Sequence, residues 1–332
     1  MRQITLLLPL LLVASTANAS CGSSFCTVNT NWDTQGVSHE SGLLVDLRYS
    51  YAKADQWRAG SSRKATEAPS GSDEEIEDKR TINQMVNLNL DYALNRSWGL
   101  LLSLPFVIRD HAHTLDSSSG SGPIAQQGKF SELGDVRVQA RYRFDLGSRE
   151  VGAGVRFGLK LPTGATDKVM TPPDPSEPTV PYKLERSSQP GTGSTDGIVG
   201  FYYFRNTPGN DIGWFVSAQF QSALAVKDGY RPGNEISVDA GIHYEVASHV
   251  NLLLQLNGQH RSRDSGSEAS SASGGYSLNL SPGMSYAITP TAQIYGFVQL
   301  PIVRYVNVDP TDSASGQLAS RWSASLGISQ RF

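Results

Sequence analysis

Along most of the chain, apolar and polar residues alternate one by one. Ile82, Val86, Leu88, Leu90 and Tyr92 alternate with Asn83, Asn87, Asn89 and Asp91. Val136, Val138, Ala140, Tyr142 and Phe144 oppose Asp135, Arg137, Gln139, Arg141 and Arg143, and Val250, Leu252, Leu254 and Leu256 oppose Asn251, Gln255, Asn257 and Gln259. A period of two predicts strands with one apolar and one polar face. Strands are expected at 41–51, 81–93, 98–109, 132–145, 151–161, 197–205, 212–222, 235–246, 249–260, 274–288, 291–303 and 317–331.

The connections alternate as well. Short turns fall at Asn95-Arg96, Gly147-Ser148, Thr207-Pro208-Gly209, Ala247-Ser248 and Thr289-Pro290. Between them lie long polar stretches at 52–80, 110–131, 162–196, 223–234, 261–273 and 304–316. A soluble sandwich explains the alternation of residues but not the alternation of connection lengths. A bilayer-spanning barrel explains both, since its turns are short on one side and its loops long on the other. In lipid every strand N–H and C=O needs a partner, so a sheet must close on itself. The expected fold is all-β: a transmembrane antiparallel β-barrel of about 12 strands, with short periplasmic turns and long extracellular loops. Trp98, Trp214, Tyr286, Tyr305 and Trp322, near strand ends, suit interfacial girdles.

The first residues supply the route. Met1-Arg2, the apolar run from Leu6 to Ala14 and Ala17-Asn18-Ala19 have the layout of a secretory signal peptide. The run is too short for a spanning helix, which needs roughly 20 residues. Cys21 is close behind, but Asn18-Ala19-Ser20 lacks the Leu expected ahead of a lipidated cysteine. The division is therefore a signal peptide at 1–19, a periplasmic segment at 20–40 and the barrel at 41–332. Cys21 and Cys26, in an oxidising compartment, are expected to form a small disulfide that stiffens this segment, a plug or a docking tag for a periplasmic partner.

Charge changes the picture only inside the barrel. With 28 Lys and Arg against 31 Asp and Glu, the net charge of -3 gives no reason to expect nucleic acid. The phase of alternation points Arg48, Arg137, Arg141, Arg143, Arg156, Lys160 and Arg321 inward, with Asp46, Asp91, Asp135, Asp239, Glu245 and His243. Two readings stay open: these groups line a channel and set its ion preference, or they pair across the lumen and plug it. Loop 162–196, with Pro172, Pro173, Pro175, Pro178 and Pro181, is a candidate lid or external constriction, or else a plain solvent-exposed loop. The run Asp73-Glu74-Glu75 with Glu77 and Asp78 reads as solvated charge.

Catalysis is not expected. A hydrolase needs a Ser activated by a nearby His and a third orienting group. None of His39, His111, His113, His243, His249 and His260 lies in such a context. No metal or cofactor is expected: His111 and His113, beside Asp110 and Asp116, are weak evidence for a metal.

The last strand, with Leu318, Trp322, Leu326, Ile328 and terminal Phe332 on one face, resembles the closing strand of outer-membrane barrels. In such proteins the C-terminal aromatic is part of the signal read by the barrel-assembly machinery, which the resemblance implies as a partner of Phe332, alongside outer-membrane lipid and lipopolysaccharide. The phrases Ser103-Leu104-Pro105-Phe106, Leu133-Gly134-Asp135-Val136, Gly158-Leu159-Lys160-Leu161-Pro162-Thr163-Gly164 and Gln189-Pro190-Gly191-Thr192-Gly193 stand out. Together they resemble the outer-membrane transport barrels associated with the meta-pathway of phenol degradation. The resemblance implies uptake of a small solute, aromatic or hydrophobic, across a Gram-negative outer membrane, whereas the basic cluster suggests an anion. The alternatives are a structural barrel without transport and a membrane-embedded hydrolase.

Overall fold

The computed structural model describes residues 28–37, 42–64, 75–115, 124–148, 150–173, 179, 181–209, 211–311 and 316–332. The expected signal peptide, Cys21 and Cys26, and the acidic residues 73 and 74 lie outside the described residues. Fourteen strands follow in order: β1 (Gly42–Ala59), β2 (Ser62–Arg63), β3 (Glu75–Ala93), β4 (Trp98–Leu115), β5 (Ile124–Leu133), β6 (Arg137–Arg143), β7 (Val151–Lys160), β8 (Thr195–Asn206), β9 (Ile212–Ala225), β10 (Glu235–Ala247), β11 (Val250–Arg261), β12 (Gly275–Thr289), β13 (Ala292–Val306) and β14 (Gln317–Arg331). Each pairs antiparallel with its neighbours, and β14 returns to β1, with Tyr49 between Val86 and Leu326. β5 and β6 lie end to end beside β4, and β2 is a two-residue stub, so the closed wall has twelve staves.

Closure is made by backbone. Leu43 N–H donates to Phe332 O at 3.2 Å and Phe332 N–H returns to Leu43 O at 2.9 Å. Gly42 sits there at φ +119°, and a Cβ would fall 2.2 Å from Phe332 O, so only glycine fits this seam.

The alternation sets the two faces. On β11, Leu252 is 48% exposed, whereas Gln255 is 2% exposed. The apolar set therefore faces outward, where a bilayer replaces water. Aromatic pairs ring both rims. Trp98 meets Tyr142 at 4.9 Å and Tyr203 meets Trp214 at 5.2 Å near the short turns; Tyr276 stacks on Tyr305 at 5.2 Å near the long loops.

Three departures from the sequence reading have physical causes. β1, β3 and β4 run well beyond 51, 81 and 109, and β5 begins at Ile124, so much of 52–80 and 110–131 is strand rather than loop. Outside lipid the outer face no longer has to be apolar and the inner face is packed with polar residues such as Thr81, His111 and Gln126, so the ladder persists without the apolar–polar alternation that would reveal it. The expected strand 132–145 is broken at 134–136, opposite Pro105, which has no N–H to give. There Gly134 N–H donates to Pro105 O at 2.7 Å, and Val136 N–H leaves the ladder for Thr163 Oγ1 at 2.9 Å. Finally, the register of β1 against β14 shifts around Ala54. Beyond this bulge Leu318 leaves the lipid face and is buried with Ala54 and Trp57. Arg321, expected in the lumen, is instead more than half exposed and faces Asp55 at 3.7 Å.

Candidate functional site: the barrel lumen

The inner wall of β6 and β7 is basic because every polar phase position there is basic, Gln or Gly. Register places Arg141 opposite Arg156 and Arg137 opposite Lys160, with Gln139 opposite Gly158. Neither strand carries an acidic residue. Their counter-charges come from elsewhere in the fold, and how each is supplied divides the lumen into three levels.

At the short-turn end the lumen is filled by the chain itself. Residues 28–37, expected in a periplasmic segment, run up inside the barrel, with a 3-10 turn at Trp32–Thr34. Trp32 is 1% exposed and meets the Tyr295 ring edge-on at 4.9 Å. Asp33 accepts from Arg141 Nη2 at 3.0 Å and also pairs with Arg331. Arg143 donates to the Asp33 carbonyl at 3.0 Å, and Asn206 to the Gly36 carbonyl at 2.8 Å. Further up, Arg48 donates to Val28 O at 2.9 Å and Thr30 Oγ1 at 2.8 Å. Asn29 donates to Ser217 Oγ at 2.9 Å and Asp239 at 3.2 Å, and Gln255 donates to its carbonyl at 2.9 Å. This segment is a plug, held at both levels by wall side chains.

At the long-loop end, the three Gly-bearing phrases meet. Asp135 accepts from Gly164 N–H at 3.1 Å, from Thr192 N–H at 2.9 Å and Thr192 Oγ1 at 2.8 Å, and from Lys160 Nζ at 3.0 Å. Lys160 also reaches Asp196 at 3.1 Å. A Cβ on Gly164 would lie 2.7 Å from the Gly191 backbone, and one on Gly191 would lie 2.6 Å from Asp135 Oδ1, so the turns stack only as glycines. This knot draws the loop after β7 inward. Ser188 is wholly buried and its carbonyl accepts from Arg109. Arg186 lies over the Tyr230 ring at 5.6 Å, while Tyr230 donates to Asp264 at 2.8 Å. This loop, expected as a lid, an external constriction or a plain exposed loop, is drawn inward and narrows the lumen at 184–194.

Between plug and knot lies a cavity of about 400 Å³, within the range of small-molecule sites. Arg48, Arg137, Arg156, Lys160 and Asp239 line it. Met85, Leu101, Pro105, Val107 and Pro190 give it an apolar sector. His243 is buried lower down, against Gly213, where a Cβ would meet its ring at 2.2 Å. Glu245, expected inside, is exposed beside a short turn. Sequence reasoning missed Asp33, Arg109, Asp196 and Arg331. Asp196 and Arg109 continue the alternation of their strands and were findable; Asp33 carries no pattern.

A closed, twelve-stave, antiparallel sheet with lipid-type residues outside and ionised groups inside admits one environment. This chain is an outer-membrane β-barrel. Residues 176–320 match the family model described as MetA-pathway of phenol degradation. No curated protein sequence matches it. In fold, the barrel is similar to an outer membrane channel from Pseudomonas putida F1, at TM-score 0.61 and 12% identity, covering 92% of this chain and 100% of that one. The P. putida toluene transporter TodX aligns at TM-score 0.46 and 9% identity over 95% of this chain and 96% of that one. The Ralstonia pickettii toluene transporter TbuX aligns at 0.46 and 9% over 96% and 97%.

Proposed function

We propose that this outer-membrane barrel is a gated channel for uptake of a small solute, shut on the short-turn side by residues 28–37. The observation that carries the reading is the lined cavity inside a closed wall, bounded by a plug and by an inward loop. A purely structural barrel has no need for a charged, partly apolar cavity between two constrictions. The matched family description points to small aromatic compounds as cargo, and the Pseudomonas putida channel shares the barrel fold.

The hydrolase reading gains nothing from the described histidines. His111 meets Thr81 Oγ1 at 2.9 Å and His113 meets Gln126 Oε1 at 2.8 Å, in a packed cluster above the lumen. Phe332, 74% exposed at the seam, suits the expected contact with the barrel-assembly machinery, and a periplasmic partner would act on the chain ahead of residue 28.

The test is planar-bilayer conductance of the refolded full-length protein beside Asp33→Asn. Rare steps from the wild type and frequent steps from the variant support a plugged channel. Silence from both, with the barrel correctly folded, overturns it in favour of a structural barrel.

A further inference from the structure

The three levels of the lumen treat their cations differently. Arg141 is neutralised by Asp33 and Asp91, each at 3.0 Å. Lys160 is neutralised by Asp135 and Asp196. Arg156, between them, is not. It is 4% exposed and lines the cavity, yet its guanidinium makes no hydrogen bond or ion pair with any described residue. Asp239 and Asp91 act on it only from beyond ion-pair distance, and Asp239 already accepts from Asn257, Asn29 and Ser217. Arg137, also lining the cavity, likewise has no carboxylate within ion-pair reach among the described residues. Gly158 follows Arg156 on the same face of β7 and Gly200 is its partner on β8, while Arg141 is its partner on β6. A buried cation without a counter-ion is costly. A cavity lined by such a cation suits an anion.

The apolar sector adjoins it. β4 pairs with β6, so Leu101 lies opposite Gln139 and Ser103 opposite Arg137. Leu101 of β4 thus stands one stave from Arg137 and two from Arg156, at a level midway between them, while Pro105, Val107 and Met85 line the cavity nearer its long-loop end. Adjacent staves are about 4.8 Å apart, the scale of one small ring or short aliphatic chain.

We propose that the cavity is a binding site for a small amphiphilic organic anion. Its carboxylate would pair with Arg156, with Arg137 adding a second donor set, and its apolar body would lie against Leu101. A guanidinium fork matches a carboxylate in two parallel hydrogen bonds, so the group that Arg156 lacks is the one such a solute carries. The proposal rests on the lumen being a solute path, and it removes the conflict between a basic lining and a hydrophobic cargo: the two belong to neighbouring sectors of one site.

The test is calorimetric titration of the detergent-solubilised full-length protein with sodium benzoate, benzamide and sodium acetate. Benzoate is expected to bind at least tenfold tighter than benzamide, which lacks the charge, and at least tenfold tighter than acetate, which lacks the ring. Arg156→Gln should abolish the preference for benzoate over benzamide, while Arg156→Lys keeps part of it; heat-modified gel mobility verifies folding. Equal affinity for benzoate and benzamide, equal affinity for benzoate and acetate, or no binding by folded wild type overturns the site, and this comparison needs no variant. Conductance separates the two readings. Benzoate binding with a silent Asp33→Asn channel leaves the site and sinks the path; a conducting variant with no benzoate binding does the reverse.

Discussion

Asp33, inside the lumen, ion-pairs with Arg141 on the wall at 3.0 Å, so the barrel holds its stopper by the same basic face that borders its cavity. The geometry makes closure an electrostatic contact between the plug and β6. It also makes the contact replaceable, since Arg141 keeps Asp91 at 3.0 Å when Asp33 leaves. A plug held this way can be released with Arg141 still paired.

The first prediction concerns that contact. A hydrogen bond to a charged group contributes about 1.5–3 kcal/mol, so removing the Asp33 charge shifts the plug equilibrium by roughly tenfold or more. Asp33→Asn should raise open probability in bilayers by at least that factor, with unchanged thermal unfolding of the barrel. An unchanged open probability would show that the plug is held chiefly by its backbone contacts.

Trp32 offers a second handle on the same segment. Truncating a buried Trp costs about 3–5 kcal/mol, and here the loss falls on docking against Tyr295, Phe297 and Leu253 rather than on the wall. Trp32→Ala should make residues 28–37 accessible to a cysteine-directed reagent at Thr30→Cys, which the otherwise wild-type Thr30→Cys protein protects. Equal labelling in both backgrounds would mean that the plug is already mobile.

The knot supports a third. Asp135→Ala removes the acceptor of Gly164 N–H and Thr192 N–H and one of the two carboxylates on Lys160. Breaking a buried pair by removing one partner costs about 3–5 kcal/mol, and the part of the structure free to respond is the loop. The loop between β7 and β8 should become protease-sensitive while the barrel keeps its folded gel mobility. A loop that stays resistant would place its support in the Arg109–Ser188 contact instead.

Where lipid forces one face to be apolar, the strands were legible. Leu252, Leu254 and Leu256 against Asn251, Gln255 and Asn257 declare β11 without help. Above the membrane that constraint ends, and Asp110-His111-Ala112-His113-Thr114 reads as loop although it is ladder. Leu318 and Arg321 were misplaced because a bulge at Ala54 shifts phase without leaving a mark in the β14 sequence. The glycine phrases were visible as phrases, but not their meeting, since Asp135, Gly164 and Thr192 are joined only by the fold. The plug was least legible of all. Its residues have no period, and the partners of Asp33 lie 108 and 298 positions away.

The final prediction separates folding from assembly at the seam. The backbone of Phe332 closes the barrel through Leu43, but its side chain is 74% exposed. Surface substitutions away from special features change stability by about 0.5 kcal/mol or less, so Phe332→Ala should refold in detergent with wild-type thermal stability. If the ring is read by the assembly machinery, the same variant expressed with a secretory signal should accumulate poorly in the outer membrane. Normal membrane levels beside normal refolding would mean that the ring is only a lipid anchor. Loss of stability in vitro would instead place it in the packing of the β1–β14 seam.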